Sequence, residues 1–169
     1  MSRKLLALVL AFATLIANAK SIEQRYSSYL SDEGMVLFIR PAKLSQHTDL
    51  SGFTYDMTYT AGQDSITINC TVDMNGNEDI TQFIIHNESK KIVCESVSTL
   101  YRDLKKKGYS VRITSKFPIK DIKEIFADGT PATFTFVTTD KKSCSASYKN
   151  GQWTKERNDI TRIFNSFKP

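Results

Sequence analysis

Apolar and polar positions alternate strongly in the first half of the chain. Phe53, Tyr55, Met57 and Tyr59 interleave with Thr54, Asp56 and Thr58, which places the four apolar side chains on one face of a strand. Ile66, Ile68, Cys70 and Val72 interleave with Thr67, Asn69 and Thr71 in the same way. Met35 to Arg40 is an apolar run stopped by Pro41. Asn75-Gly76 predicts a two-residue hairpin, since a type I′ turn needs positive φ at both central positions and these residues tolerate it. Ile80 to His86 then returns, and Lys91 to Glu95 follows an Asn87–Lys90 turn. Together these segments predict an antiparallel meander.

Helical spacing appears in four places. Ile22, Tyr26, Tyr29 and Leu30 share one stripe, and Ser21 with Gln24 forms a capping box, so Ser21 to Leu30 predicts a short helix. Val97, Leu100, Tyr101 and Leu104 fit the i, i+3, i+4, i+7 pattern. Lys105-Lys106-Lys107 would face the negative helix end and Gly108 would stop it; a strand continued through Val97 is the alternative. After a strand at Tyr109–Lys116, Pro118 opens a helix that turns Ile119, Ile122, Ile125 and Phe126 inward and ends at Asp128-Gly129. Ala132, Phe134 and Phe136 share a strand face, and Cys144, Ala146 and Tyr148 share another beyond the Asp140–Lys142 turn. In the last helix Trp153, Ile160, Ile163, Phe164 and Phe167 form the apolar stripe, with Lys155, Glu156, Arg157, Asp159 and Arg162 on the remainder. The class predicted is α+β: a mostly antiparallel sheet, helices packed chiefly on one face, and a C-terminal amphipathic helix.

The first nineteen residues follow a different logic. Met1 to Lys4 is basic, Leu5 to Ala17 is apolar except for Thr14, and Ala17-Asn18-Ala19 has the small-x-small form of a signal-peptidase site. A thirteen-residue apolar run spans only about 20 Å as a helix, short of the roughly 30 Å of a bilayer core. Residues 1–19 are therefore expected to be a cleaved signal peptide and 20–169 a single domain, exported to the periplasm or outside the cell, with no transmembrane segment after cleavage. Cleavage leaves 150 of the 169 residues and lowers the formal charge from +5 to +3. A chain of that length buries about 70% of its unfolded surface, enough for one sizeable core.

Cys70, Cys94 and Cys144 all point inward in this register, and an odd count leaves at least one unpaired. In the meander a Cys70–Cys94 bond would span two strand spacings, about 9.6 Å against a limit near 7 Å. Three buried thiols and a single disulfide both remain open.

Catalytic and metal signatures are thin. No G-x-S-x-G elbow occurs, and His47 and His86 are the only histidines. His47-x-Asp49 and His86-x-Glu88 each supply two ligands where zinc needs at least three. Asp73 to Asp79 has the look of a calcium loop, but its glycine stands fourth rather than sixth and Ile84 occupies the twelfth position; a hairpin accounts for the same residues. Asp32-Glu33 and Glu78-Asp79 are carboxylate pairs in turn-like stretches. No catalytic residue, metal or cofactor is expected. Lys90-Lys91, Lys105–Lys107 and Lys141-Lys142 could neutralise phosphates, yet the leader directs the chain away from nucleic acid. Asn69 and Asn87 head glycosylation tripeptides that matter only in a eukaryotic secretory pathway.

The function expected is that of a small exported non-enzymatic binding or interaction module for an extracytoplasmic protein, peptide or polysaccharide. Tyr55 and Tyr59 are the candidate ligand-binding residues, or else a groove under the last helix serves. The alternative is a small extracytoplasmic hydrolase with a His/carboxylate or Cys/His site built on His47 or His86.

Overall fold

Eleven strands form two antiparallel sheets in a computed structural model that describes residues 22–167. The leader with its cleavage site and the capping Ser21 lie outside these residues. The larger sheet runs in the order β1 (Tyr26–Ser31), β2 (Gly34–Lys43), β4 (Gly52–Thr60), β5 (Ser65–Met74), β9 (Tyr109–Pro118) and β8 (Ser98–Leu104). The smaller runs β3 (Gln46–Thr48), β11 (Ser143–Ser147), β10 (Thr133–Thr138), β6 (Ile80–His86) and β7 (Lys91–Cys94). Two helices, α1 (Ile119–Ala127) and α2 (Asn150–Ser166), complete an α+β fold.

Inner faces of the two sheets meet through aromatic rings. Phe53 lies 5.4 Å from both Phe134 and Phe136, and Tyr55 stacks on Phe134 at 4.8 Å. Phe83 stacks on Phe136 at 4.8 Å and meets Phe117 edge-on at 5.0 Å. All six rings are buried, and such pairs add about 0.5–1.5 kcal/mol each beyond the area they bury. The alternation read in β4, β5, β10 and β11 is the alternation observed, because each has one face in this core. Both amphipathic helices form as expected: Ile119, Ile122, Ile125 and Phe126 are buried on α1, and Trp153, Ile160, Ile163 and Phe164 on α2.

The meander is corrected. After Met74 the chain leaves the larger sheet, and β6 pairs with β10 and β7 rather than with β5. Asn75-Gly76 is no hairpin turn, since neither residue has positive φ; residues 75–79 carry the chain from one sheet to the other. Cys70 and Cys94 consequently lie in different sheets, and two strands separate Cys94 on β7 from Cys144 on β11. All three are buried free thiols.

Both short N-terminal and central helices are corrected as well. Only Ile22 and Glu23 are helical near the N-terminus, and Tyr26–Ser31 instead pairs with β2. Ser98–Leu104 pairs with β9, and the lysine run with Gly108 makes the hairpin turn, closed by Lys105 N–H donating to the Gly108 carbonyl at 3.0 Å. Pro41 does not stop β2. The strand passes through it with a register irregularity between Ile39 and Ala42, where the missing N–H would otherwise break the ladder.

Gly108 has φ +78, and a Cβ there would stand 1.9 Å from the Met74 carbonyl oxygen. Gly108→Ala is expected to lower unfolding stability by about 2 kcal/mol or more, through left-handed strain and backbone clash together. Gly151→Ala, at an open helical position, should instead gain up to about 0.5–1 kcal/mol. Urea denaturation of the two variants reads both signs.

Candidate functional site

Beside α2 the chain assembles a buried polar cluster from three distant stretches. Tyr55 comes from β4, Tyr148 from the residue after β11, Glu156 and Asp159 from α2, and Arg25 from the turn before β1. The Tyr55 and Tyr148 hydroxyl oxygens are 2.6 Å apart, and Tyr55 donates to Glu156 Oε1 at 3.1 Å. Tyr55 has a single hydroxyl proton, so Tyr148 donates to Tyr55 and the chain ends at the carboxylate. Arg25 donates to the same Oε1. A charged terminus polarises each hydroxyl in turn, which orients the whole row.

Burial governs the protonation of this row. It pushes the Tyr55 and Tyr148 hydroxyls well above their ordinary range, and the Glu156 charge adds to both shifts. Burial also raises Glu156, while the Arg25 guanidinium pulls the other way. Glu156 and Asp159 are each only 8% exposed. Arg25 Nε stands 4.0 Å from Asp159 Oδ2, too far for a hydrogen bond, and neither atom has a partner.

The same residues line a groove of about 360 Å³ between α2 and β2. Tyr148, Glu156 and Asp159 form its wall, Pro41 and Ala42 its opposite side, and Lys43, Gln152 and Lys155 its rim. This is the groove under the last helix. Tyr55 lies directly behind it, buried and reaching it through Tyr148. Tyr59 is elsewhere: it is buried against Phe164 at 6.4 Å, with the Lys123 ammonium 5.8 Å from its ring centre, and does not line the groove. Neither Tyr55 nor Tyr59 lines the groove, and both are buried; Tyr55 is linked to it only through the Tyr148 hydroxyl.

The polar remainder of the last helix is expected to hold Glu156 and Asp159, but the structure buries both, and a signal for this was present. Glu156 falls three residues after Trp153 and four before Ile160, squarely within the apolar stripe. A charge at a core position of an amphipathic helix marks a buried, partnered group.

Elsewhere, the two histidines and the thiols do not assemble a nucleophile and base. His47 Nε2 contacts the Leu44 carbonyl at 2.8 Å, and His86 Nε2 contacts Thr135 Oγ1 at 3.3 Å. Burial lowers the His86 pKa, with Lys91 adding to the shift. Cys144 donates weakly to the Phe136 carbonyl, and burial pushes its thiol up to about 11, which keeps it protonated at neutral pH. A larger cleft of about 520 Å³ lies between the turns carrying Asp49, Glu78 and Lys142, with Cys144 among its lining. No group of three or more metal-ligating side chains occurs among the described residues. No helix among them is long and apolar enough to cross a membrane. Of the two sequon asparagines, Asn69 donates to Asp56 Oδ1 at 2.8 Å on the outer face of β5, and Asn87 shapes the β6–β7 turn by accepting from the Ser89 and Lys90 amides. Family models, curated proteins and solved structures offer no match to this chain.

Removing the Tyr55 hydroxyl takes the acceptor from Tyr148 and one of two donors from Glu156 Oε1, so Tyr55→Phe is expected to cost about 1–3 kcal/mol. Glu156 also sets a pH signature. Its native pKa is raised, so the folded state holds a proton that the unfolded state releases from pH 4.5 upward. Its contribution to stability is full below pH 4.5 and is lost as pH rises through the native value. Thermal midpoints across weakly acidic to neutral pH should fall less steeply with rising pH in Glu156→Gln than in the parent.

Proposed function

We propose that this protein is an exported, non-enzymatic binding module and that its ligand, a segment of protein, a peptide or a polysaccharide, sits in the groove between α2 and β2. The observation carrying this reading is the unpartnered pair in the groove wall, Arg25 Nε and Asp159 Oδ2. Each orphaned buried group costs about 1–3 kcal/mol, which a ligand can recover. Both atoms are shut off from solvent, so a ligand hydroxyl recovers them where side chains of the groove wall shift to admit it, accepting from the guanidinium and donating to the carboxylate. Sugar hydroxyls and the Ser or Thr hydroxyls of a peptide have this dual character. Arg25, Lys43 and Lys155 outnumber Glu156 and Asp159 around the groove, which favours a ligand with anionic groups such as an acidic polysaccharide.

Export rests on the basic leader, apolar run and small-x-small site of residues 1–19. Its check is the intact mass of the processed chain, expected to begin at Lys20. The hydrolase alternative has less support, because His47 is engaged by a carbonyl and the Cys144 thiol is held protonated.

Binding is tested by titrating the processed, isotope-labelled protein with neutral and acidic oligosaccharides and with peptides while following amide resonances. Shifts should concentrate at Lys43, Tyr148, Gln152 and Lys155, and Asp159→Asn should weaken binding about tenfold, as expected for one lost charge-assisted hydrogen bond. Lys155→Glu should weaken acidic ligands selectively. Shifts centred elsewhere, or affinity indifferent to both changes, would refute the groove as the seat.

A further inference from the structure

The two sheets have four edge strands, and three of them are guarded. Edge strands template unwanted pairing unless they are short, charged, bulged or covered. β3 has three residues and β7 four, beginning at Lys91. β8 has a register irregularity between Thr99 and Tyr101, carries Arg102 and Asp103, and runs into three lysines. β1 has none of these devices. Its six residues, Tyr-Ser-Ser-Tyr-Leu-Ser, include no charge and no proline, and its pairing with β2 is regular throughout. Among the described residues its other edge is unpaired. Tyr29 is 59% and Leu30 81% exposed, and Met35, opposite Leu30, is 42% exposed.

We infer that β1 is a docking edge for a second copy of this chain, paired antiparallel about a two-fold axis through Tyr29. Paired residues in an antiparallel ladder point to the same face, so a two-fold axis normal to the sheet must set one residue opposite its own copy. With Tyr29 on the axis, Ser27 meets Ser31 of the second copy and Ser28 meets Leu30. Charge selects this arrangement. The exposed Arg40 charges one end of β1, where its amide donates to the Arg25 carbonyl at 2.8 Å while the Arg25 guanidinium is held by Glu156, and Asp32-Glu33 mark the other end. Antiparallel pairing sets each basic end beside the acidic turn of the other copy, whereas parallel pairing would set the two acidic turns side by side. Centring on Tyr29 sets this basic end, at the level of residue 25, opposite Glu33; centring on Ser28 would set it opposite Ser31. The two six-stranded sheets then become one continuous sheet. The seam is only about 20 Å long, so the association is of the weak, concentration-dependent kind.

Sedimentation of the processed chain from low micromolar to near-millimolar concentration tests this. A reversible monomer–dimer equilibrium is expected. Leu30→Lys should raise its dissociation constant at least tenfold with an unchanged thermal midpoint, while Leu104→Lys, an equally exposed change on β8, should leave it unaltered. Independently, Tyr29→Cys should form a disulfide-linked dimer under mild oxidation, and Tyr101→Cys should not. A monomer at every concentration overturns the inference, as does a dimer indifferent to Leu30→Lys or cross-linked equally through Tyr101→Cys.

Discussion

The packing of Phe53 against Phe134 and Phe136, and of Tyr55 on Phe134, joins two sheets that share no ladder pairing. Rings of this size hold the layers about 10 Å apart, and that spacing decides what fits around the rim. Where the smaller sheet ends, the gap is filled by α1 and α2, whose Phe126 and Trp153 pack at 5.2 Å and continue the aromatic layer. Tyr148 also touches Trp153, so the layer runs unbroken from the centre of the sandwich to the groove wall. The groove is thus the place where the aromatic interlayer reaches solvent, and its tyrosine hydroxyls are the polar tips of core residues.

How far the sequence foretold this arrangement depended on which faces were buried. Strands β4, β5, β10 and β11 have one wet and one dry face, and burial imposed a period of two that could be read directly. β1 and β8 are the edges of the larger sheet, and nearly every side chain on them is exposed. With no face in the core, nothing imposed alternation on them. The helical spacing of Tyr26, Tyr29 and Leu30, and of Leu100, Tyr101 and Leu104, has no structural role. Period two also names a face without naming a neighbour, which is why β5 and β6 could be expected to pair when they belong to different layers. Tyr55 was legible as an apolar position of β4. Its pairing with Tyr148 and Glu156 was not, because those residues stand more than ninety positions away.

Polar groups inside the fold follow a common economy. Asp56 is 1% exposed on the outer face of β4, where Arg112 and Asn69 both donate to it, so its burial is matched by charge and hydrogen bonds. Tyr55, Tyr148 and Glu156 are matched in the same manner through Arg25. Asp159 departs from the rule, with an oxygen left bare beside a guanidinium nitrogen that is also bare. Glu156 and Asp159 share the single guanidinium of Arg25, which satisfies the first and leaves the second bare, whereas the Asp56 cluster is closed upon itself.

Arg25 bound to Glu156, 131 positions apart, has a meaning in time as well as in space. β3 likewise finds its partner only in β11, about a hundred residues later. A ribosome or a translocation channel delivers the chain from its N-terminus, so β1, β2 and β4 emerge long before the helix that completes their underside. Until the last turns of α2 arrive, the N-terminal strands can pair locally but cannot bury the aromatic layer, and non-local closure of this kind is slow. A chain still being delivered therefore cannot close its polar cluster or its β3–β11 seam until the C-terminal third has emerged, however early its N-terminal hairpins form.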